Sequence, residues 1–204
     1  VRLLLVRHGQ TPSNVAGSLD TLVPGPGLTA LGRRQAEALP AALAAERITG
    51  IYVSELIRTH HTAGPLARIR GLPTVPLGGL NEIPAGGLQG RTDLESALRY
   101  RGATQSWLTG DLDARMPEAE DGHTFLARFD AAIAAIEADH APDATIAVVS
   151  HGGAIRVWAG SRALNVSAEF AIANHLPNAG IVELERDRRS GWVARSWSGQ
   201  AVPG

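Results

Sequence analysis

The runs Leu3-Leu4-Leu5-Val6 and Thr145-Ile146-Ala147-Val148-Val149 carry almost no polar residue along their length. A strand with one face in water alternates polar and apolar side chains. An unbroken run fits a strand covered on both faces, and such strands belong to parallel sheets between helix layers. Each run ends in histidine and glycine, as Arg7-His8-Gly9 and Ser150-His151-Gly152-Gly153. In open α/β sheets ligands bind just beyond the carboxyl ends of the strands, so both histidines are expected to line a cleft. Glycine at position 9 is expected to let the backbone come close to an anion there, and Gln10 to Asn14 offer further polar donors.

The rest of the chain alternates strand-like runs with longer segments of helical period. This predicts a three-layer α/β/α sandwich with a mostly parallel central sheet and a C-terminal antiparallel hairpin. At 204 residues and 44% hydrophobic content, the natural reading is a single domain over 1–204 with a cap-like insertion at about 83–123. Thr29 can cap a helix reaching roughly Ala45, with Leu31, Ala38, Leu39 and Leu43 as core positions and a kink or break at Pro40. The run Ile51-Tyr52-Val53 predicts a strand, followed by a helix over about 55–70 that Ser54 can cap and that Pro65 should bend or end. Thr74 to Leu77, short and holding a proline, predicts a strand at the sheet margin. A helix is expected around Asp93 to Leu108, then a solvated acidic stretch containing Asp111, Asp113, Glu118, Glu120 and Asp121. Phe125, Phe129, Ile133 and Ile136 recur at helical spacing as core, in a helix capped near Asp121 or Gly122. Strands near Gly180 to Glu185 and Trp192 to Trp197 flank a hairpin loop whose turn signal is Ser190-Gly191.

Composition removes several chemistries. All 19 basic residues are arginine, which excludes a P-loop lysine, a Schiff-base lysine and a Ser-Lys dyad. The absence of cysteine excludes disulfide scaffolds, thiolate catalysis and cysteine zinc sites. There is no H-E-x-x-H, and no G-x-S-x-G surrounds Ser150. A net charge of −1 argues against nucleic acid or a membrane surface as partner. No apolar stretch reaches spanning length and no leader is evident, so a cytoplasmic protein is expected.

The strand ends expected to share one sheet edge deliver Arg7 with His8, Arg58, Glu82 and His151. Guanidinium and imidazole donors suit the negative charge spread over a transferring phosphoryl group. Neutral imidazole is also a competent nucleophile that can divide a displacement into easier steps. A carboxyl group such as Glu82 can protonate the leaving oxygen and then take a proton from water, typically worth about 10²–10⁴-fold. The arginines supply the charge a metal would bring, so neither a metal nor a cofactor is expected. Spacing alone does not say which histidine attacks.

These residues resemble the signature of the histidine phosphatase superfamily, the phosphoglycerate mutase-like family. The resemblance rests on Leu4-Val6-Arg7-His8-Gly9-Gln10-Thr11 with Asn14, on Leu28 to Ala36, on Ser54 to Thr59 with Thr62-Ala63, on Leu80-Asn81-Glu82 with Gly86 and Gly90, and on Val149 to Gly153. It spans about residues 3 to 185. It implies that His8 is the nucleophile, that Arg7, Arg58 and His151 hold the phosphoryl group with Asn14 and Gly152 contributing to substrate binding, and that Glu82 moves the proton. The expected partner is a small phosphorylated substrate, and a homodimer is compatible with this reading. Longer mutases of the family carry a Trp-Asn pair where this chain has Ser13-Asn14, which favours a phosphatase. Mutase-type transfer and a non-catalytic phospho-ligand module are the alternatives. The loop from Gly17 to Gly27 departs from the family pattern, which puts substrate contacts by Asp20 and Thr21 in doubt. His61 stands where glutamine is common, and His60 and His61 are read as packing or surface residues.

Overall fold

The computed structural model describes residues 1–187 and 191–202. Its strands are β1 (Arg2–Arg7), β2 (Ile48–Val53), β3 (Thr74–Pro76), β4 (Thr145–Ser150), β5 (Ile181–Asp187), β6 (Gly191–Trp197) and β7 (Gln200–Ala201), joined in one sheet of order β3-β2-β4-β1-β5-β6-β7. The β3, β2, β4 and β1 strands run parallel. β5 lies antiparallel to β1, and β6 and β7 continue the antiparallel side. The helices are α1 (Pro12–Ala16), α2 (Ala30–Ala42), α3 (Ile57–Arg70), α4 (Leu94–Leu108), α5 (Gly122–Ala138), α6 (Gly152–Arg162) and α7 (Ala168–Ala173). None of them is long and apolar enough to cross a membrane.

Side chains alternate between the faces of a strand, and the central strands use both faces. Leu4 and Val6 of β1 and Ala147 and Val149 of β4 join Leu39, Leu43, Ala63 and Leu66 of the α2–α3 layer. Leu3, Leu5, Ile146 and Val148 face the opposite layer, where Phe125, Phe129, Ile133 and Ile136 of α5 and Ile155 and Trp158 of α6 close the larger core. Every residue of the run Leu3 to Val6 is fully buried. Aromatic rings run through this second layer from Trp107 to Phe125, Phe129 and Trp158, with successive centroids 5.6, 5.9 and 5.2 Å apart.

Several local expectations need correction. Leu31 is 41% exposed and Ala38 is exposed. α2 buries Gly32, Ala36, Leu39 and Pro40 instead, a face on which Leu31 and Ala38 do not lie because helical positions one residue apart point about 100° away from each other. Neither proline divides its helix. Pro40 sits in the last turn of α2, where one lost backbone bond matters little. α3 is unbroken from Ile57 to Arg70 across Pro65; Gly64 before it has no Cβ to meet the proline ring. The 111–121 stretch is only partly a solvated acidic face. Glu120 pairs with Arg128 at 2.7 Å, and Asp121 caps α5 through the Thr124 N–H and pairs with Arg115. The hairpin forms as expected from β5 and β6, while Ser190 of its turn signal lies outside the described residues.

Phe129 is fully buried between Phe125 and Trp158. Phe129→Ala should lower unfolding stability by about 3–5 kcal/mol, measured by urea denaturation with far-UV circular dichroism.

Candidate active site

The site grows from the pairing of β1 with β4. The two strands are parallel and in register with Arg7 opposite Ser150, so the next residue of each, His8 and His151, emerges side by side at the carboxyl edge. Their ring centroids are 5.2 Å apart at an interplanar angle of 63°. Arg58 arrives from the first turn of α3, after β2, and Glu82 from the chain after β3 and the 3₁₀ turn Gly78–Leu80. Arg7, His8, Asn14, Arg58 and Glu82 line one narrow cleft of about 100 Å³ together with Asp20, Thr21 and Tyr100. His151 lies behind His8, fully buried.

Hydrogen bonds set the state of each imidazole. His8 Nδ1 is 2.7 Å from the Gly9 carbonyl oxygen, which can only accept, so Nδ1 carries the proton and Nε2 is left as a bare lone pair. His151 is arranged the other way. Its Nδ1 accepts from Arg58 Nε at 3.3 Å, which makes Nε2 the protonated nitrogen, donating to Ser54 Oγ at 2.8 Å. Both nitrogens of His151 are therefore engaged, while His8 Nε2 has no hydrogen-bond partner among the described residues. Burial pushes both imidazoles well below the usual histidine range, and the neighbouring Arg58 adds to the shift.

The cations are held by neutral acceptors. Arg7 Nη1 donates to the Leu176 carbonyl at 2.6 Å, and Arg58 Nη2 to the Asp20 carbonyl at 3.0 Å. Neither arginine forms an ion pair among the described residues. Burial lowers the pKa of both, with Glu82 opposing the shift, although a guanidinium stays charged at neutral pH. The Glu82 carboxylate rests on the N-terminus of α6: Oε2 accepts from Gly153 N at 3.2 Å and Oε1 from Ala154 N at 2.8 Å. A side chain on Gly153 would meet Glu82 Oε1 at 2.8 Å, and one on Gly152 would meet Arg7 Nε at 3.0 Å. Paired glycines after His151 thus let a carboxylate and a guanidinium close on the same helix end.

Asn14 Oδ1 accepts from the Thr11 N–H at 3.1 Å and from Asn178 Nδ2 at 3.0 Å, so its own Nδ2 is the donor available to the cleft. Gly9 acts differently from expectation. A Cβ there would lie 2.6 Å from the Gly32 carbonyl oxygen, and one on Gly32 would lie 2.1 Å from that of Gln10. These glycines let the His8 loop and α2 touch, and Gly9 makes no room for an anion. Ser54 also departs from its expected role. Leu56 stands at the N-cap of α3 with no side-chain cap, and Ser54 serves His151 instead.

Sequence reasoning missed further residues that shape the site. Thr62 Oγ1 accepts from Gly9 N at 2.9 Å and donates to the Arg58 carbonyl at 2.7 Å, tying the His8 loop to α3. Asn178 donates to the His8 carbonyl at 3.0 Å. Tyr100 brings α4 to the cleft wall and donates to the Ile83 carbonyl at 2.8 Å. The doubt over Asp20 and Thr21 gives way to a defined position, since both line the cleft. The Thr62 match to the family motif was the one signal among these. His60 and His61 line a separate cavity of about 580 Å³ between α2 and α3, with Arg33, Glu37 and Arg68.

Because His8 and His151 stay neutral when folded, the unfolded chain takes up protons below about pH 6.5 that the folded chain does not. Their contribution to stability is complete above that pH and is lost as pH falls toward the depressed folded values. Urea unfolding between pH 7.5 and 5 should show this loss, up to about 1.4 kcal/mol per pH unit for each imidazole. His151→Gln should flatten the slope.

Known proteins share this architecture. The mycobacterial glucosyl-3-phosphoglycerate phosphatase solved as a complex with VO3 superposes with a TM-score of 0.82 at 27% identity, covering 98% of this chain and 99% of that one. The metal-independent phosphoserine phosphatase of Arabidopsis thaliana is 31% identical over 96% of this chain and 80% of its own length. PE-PGRS family protein PE_PGRS11 of Mycobacterium tuberculosis (strain ATCC 25618 / H37Rv) is 38% identical over 97% of this chain, which spans 36% of that longer protein. The sequence model of the histidine phosphatase superfamily (branch 1) matches residues 3–199, and the chain belongs to that family.

Proposed function

We propose that this chain is a phosphatase that hydrolyses phosphomonoesters through a phosphohistidine on His8. The observation that carries the reading is the pair of opposed tautomers. The Gly9 carbonyl holds the His8 proton on Nδ1, so Nε2 presents a lone pair on the far side of the ring, while His151 has both nitrogens bound. A depressed His8 pKa keeps that lone pair unprotonated at neutral pH.

His8 Nε2 attacks phosphorus, the N–P bond forms as the ester O–P bond breaks, and Glu82 gives a proton to the departing alkoxide. Water then attacks the phosphohistidine, Glu82 takes its proton, and inorganic phosphate leaves with His8 restored. Arg7 and Arg58, already fixed by carbonyls, meet the equatorial oxygens without reorganising. Asn14 Nδ2 and the N–H of Gly152 at the start of α6 add neutral donors to the same group. Ser54 is a positioning residue: it fixes the His151 tautomer, and His151 in turn orients Arg58. Relatives named as phosphatases support hydrolysis. Mutase-type transfer would appear in the assay below as phosphate retained on an organic acceptor.

Rapid acid quench with a labelled substrate should trap an acid-labile phosphoprotein in the wild type and none in His8→Ala. Turnover undiminished in His8→Ala would overturn the reading. Glu82→Gln should cost about 10²–10⁴-fold in kcat for alkyl phosphates and far less for nitrophenyl phosphate, whose leaving group scarcely needs a proton. Steady-state kinetics on both esters checks this.

A further inference from the structure

The cavity between α2 and α3 takes no part in the chemistry above. At about 580 Å³ it has the size of a small-molecule site, and it shares no lining residue with the cleft at His8. The two helices join through Leu39, Leu43, Ala63 and Leu66. They part where smaller residues stand: Ala36 and Gly64 line the opening, and a Cβ built on Gly64 would meet no atom within 4 Å. Leu28 and Ala36 are buried and, with Pro65, give the cavity an apolar floor.

The polar lining lies along one face of each helix. On α3, Arg68 stands one turn beyond Gly64, which is itself one turn beyond His60 and His61; on α2, Arg33 and Glu37 are one turn apart. Two guanidinium groups and two imidazoles thus surround one carboxylate. Arginine only donates, so these groups call for acceptors that the cavity itself scarcely supplies. Arg33 gives Nη1 to the Leu28 carbonyl at 2.8 Å. Arg68 and Glu37 form no ion pair among the described residues, whereas Arg70, two residues on, closes on the Leu43 carbonyl at 2.6 Å. We propose that this cavity is a second ligand site, one that takes a small organic anion with its charged group on Arg33 and Arg68 and its apolar body on Leu28, Ala36 and Pro65. Binding there does not require turnover at His8.

The probe is 1-naphthalenesulfonate, which has no phosphoester to hydrolyse, and 1-naphthalenemethanol is its neutral counterpart. In calorimetric titration of the full chain the sulfonate should bind about 3- to 10-fold more tightly than the alcohol, as expected for a charge-assisted contact open to solvent. Arg68→Gln should weaken the sulfonate by a similar factor and leave the alcohol unchanged, and Arg68→Lys should keep part of the gain. Glu37→Gln should act in the opposite direction and tighten the sulfonate by about 2- to 5-fold. Both side chains are exposed, so the substitutions leave the core intact. Amide resonances of a nitrogen-15-labelled sample should shift at Gly27 and Gly64 of the cavity and stay in place at Asn14 and Gly152 beside His8. No saturable binding of the sulfonate, equal affinity for sulfonate and alcohol, wild-type sulfonate affinity in Arg68→Gln, or shifts confined to Asn14 and Gly152 would each overturn the proposal.

Discussion

The in-register pairing of β1 with β4 is the constraint on which the site depends. With Arg7 opposite Ser150, the strands deliver His8 and His151 to adjacent positions at one edge, about one strand spacing apart. A slip of one residue would do more than misalign the histidines. It would turn Leu3 and Leu5 of β1 away from the α5–α6 layer and present Leu4 and Val6 there in their place. Burial on both faces therefore enforces the register, and the register places the imidazoles. The stability of the core and the geometry of the site are one requirement.

α6 is the second element that joins structure to chemistry. It begins directly after His151, so its first N–H groups, free of intrahelical partners, point to the edge where Glu82 lies. Glu82 takes the donors of Gly153 and Ala154, Arg7 lies against Gly152, and Arg156 follows one turn later. The cleft that results holds two guanidinium groups, Arg7 and Arg58, fixed by carbonyls, beside the carboxylates of Asp20 and Glu82. The low pKa values of His8 and His151 follow from the same crowding, because desolvation and neighbouring guanidinium groups both oppose a further positive charge.

Much of this was legible in the residues. Unbroken apolar runs mark strands buried on both faces, and Phe125, Phe129, Ile133 and Ile136 mark one face of a helix, because burial leaves a period in the sequence. The placement of Arg7 and His8 at the end of β1 was legible for the same reason, while Arg58 enters from the first turn of α3 and Glu82 from the chain after a 3₁₀ turn. Side chains whose work is done by contact left no such trace. Ser54 reads as a helix cap and turns out to hold His151. Gly9 reads as room for an anion and instead lets a loop meet Gly32, a residue distant in sequence. Leu31 reads as core, but the face α2 buries was chosen by its packing against α3.

The sequence by itself determined the layered α/β fold, the cluster of arginines and histidines at one sheet edge, and the exclusion of lysine and cysteine chemistries, since these follow from residue type and periodicity. Only the tertiary structure decided which histidine keeps a free nitrogen. That choice depends on whether a carbonyl or a guanidinium faces Nδ1: the Gly9 carbonyl is local to His8, whereas Arg58 and Ser54 reach His151 only by folding across elements far apart in the chain.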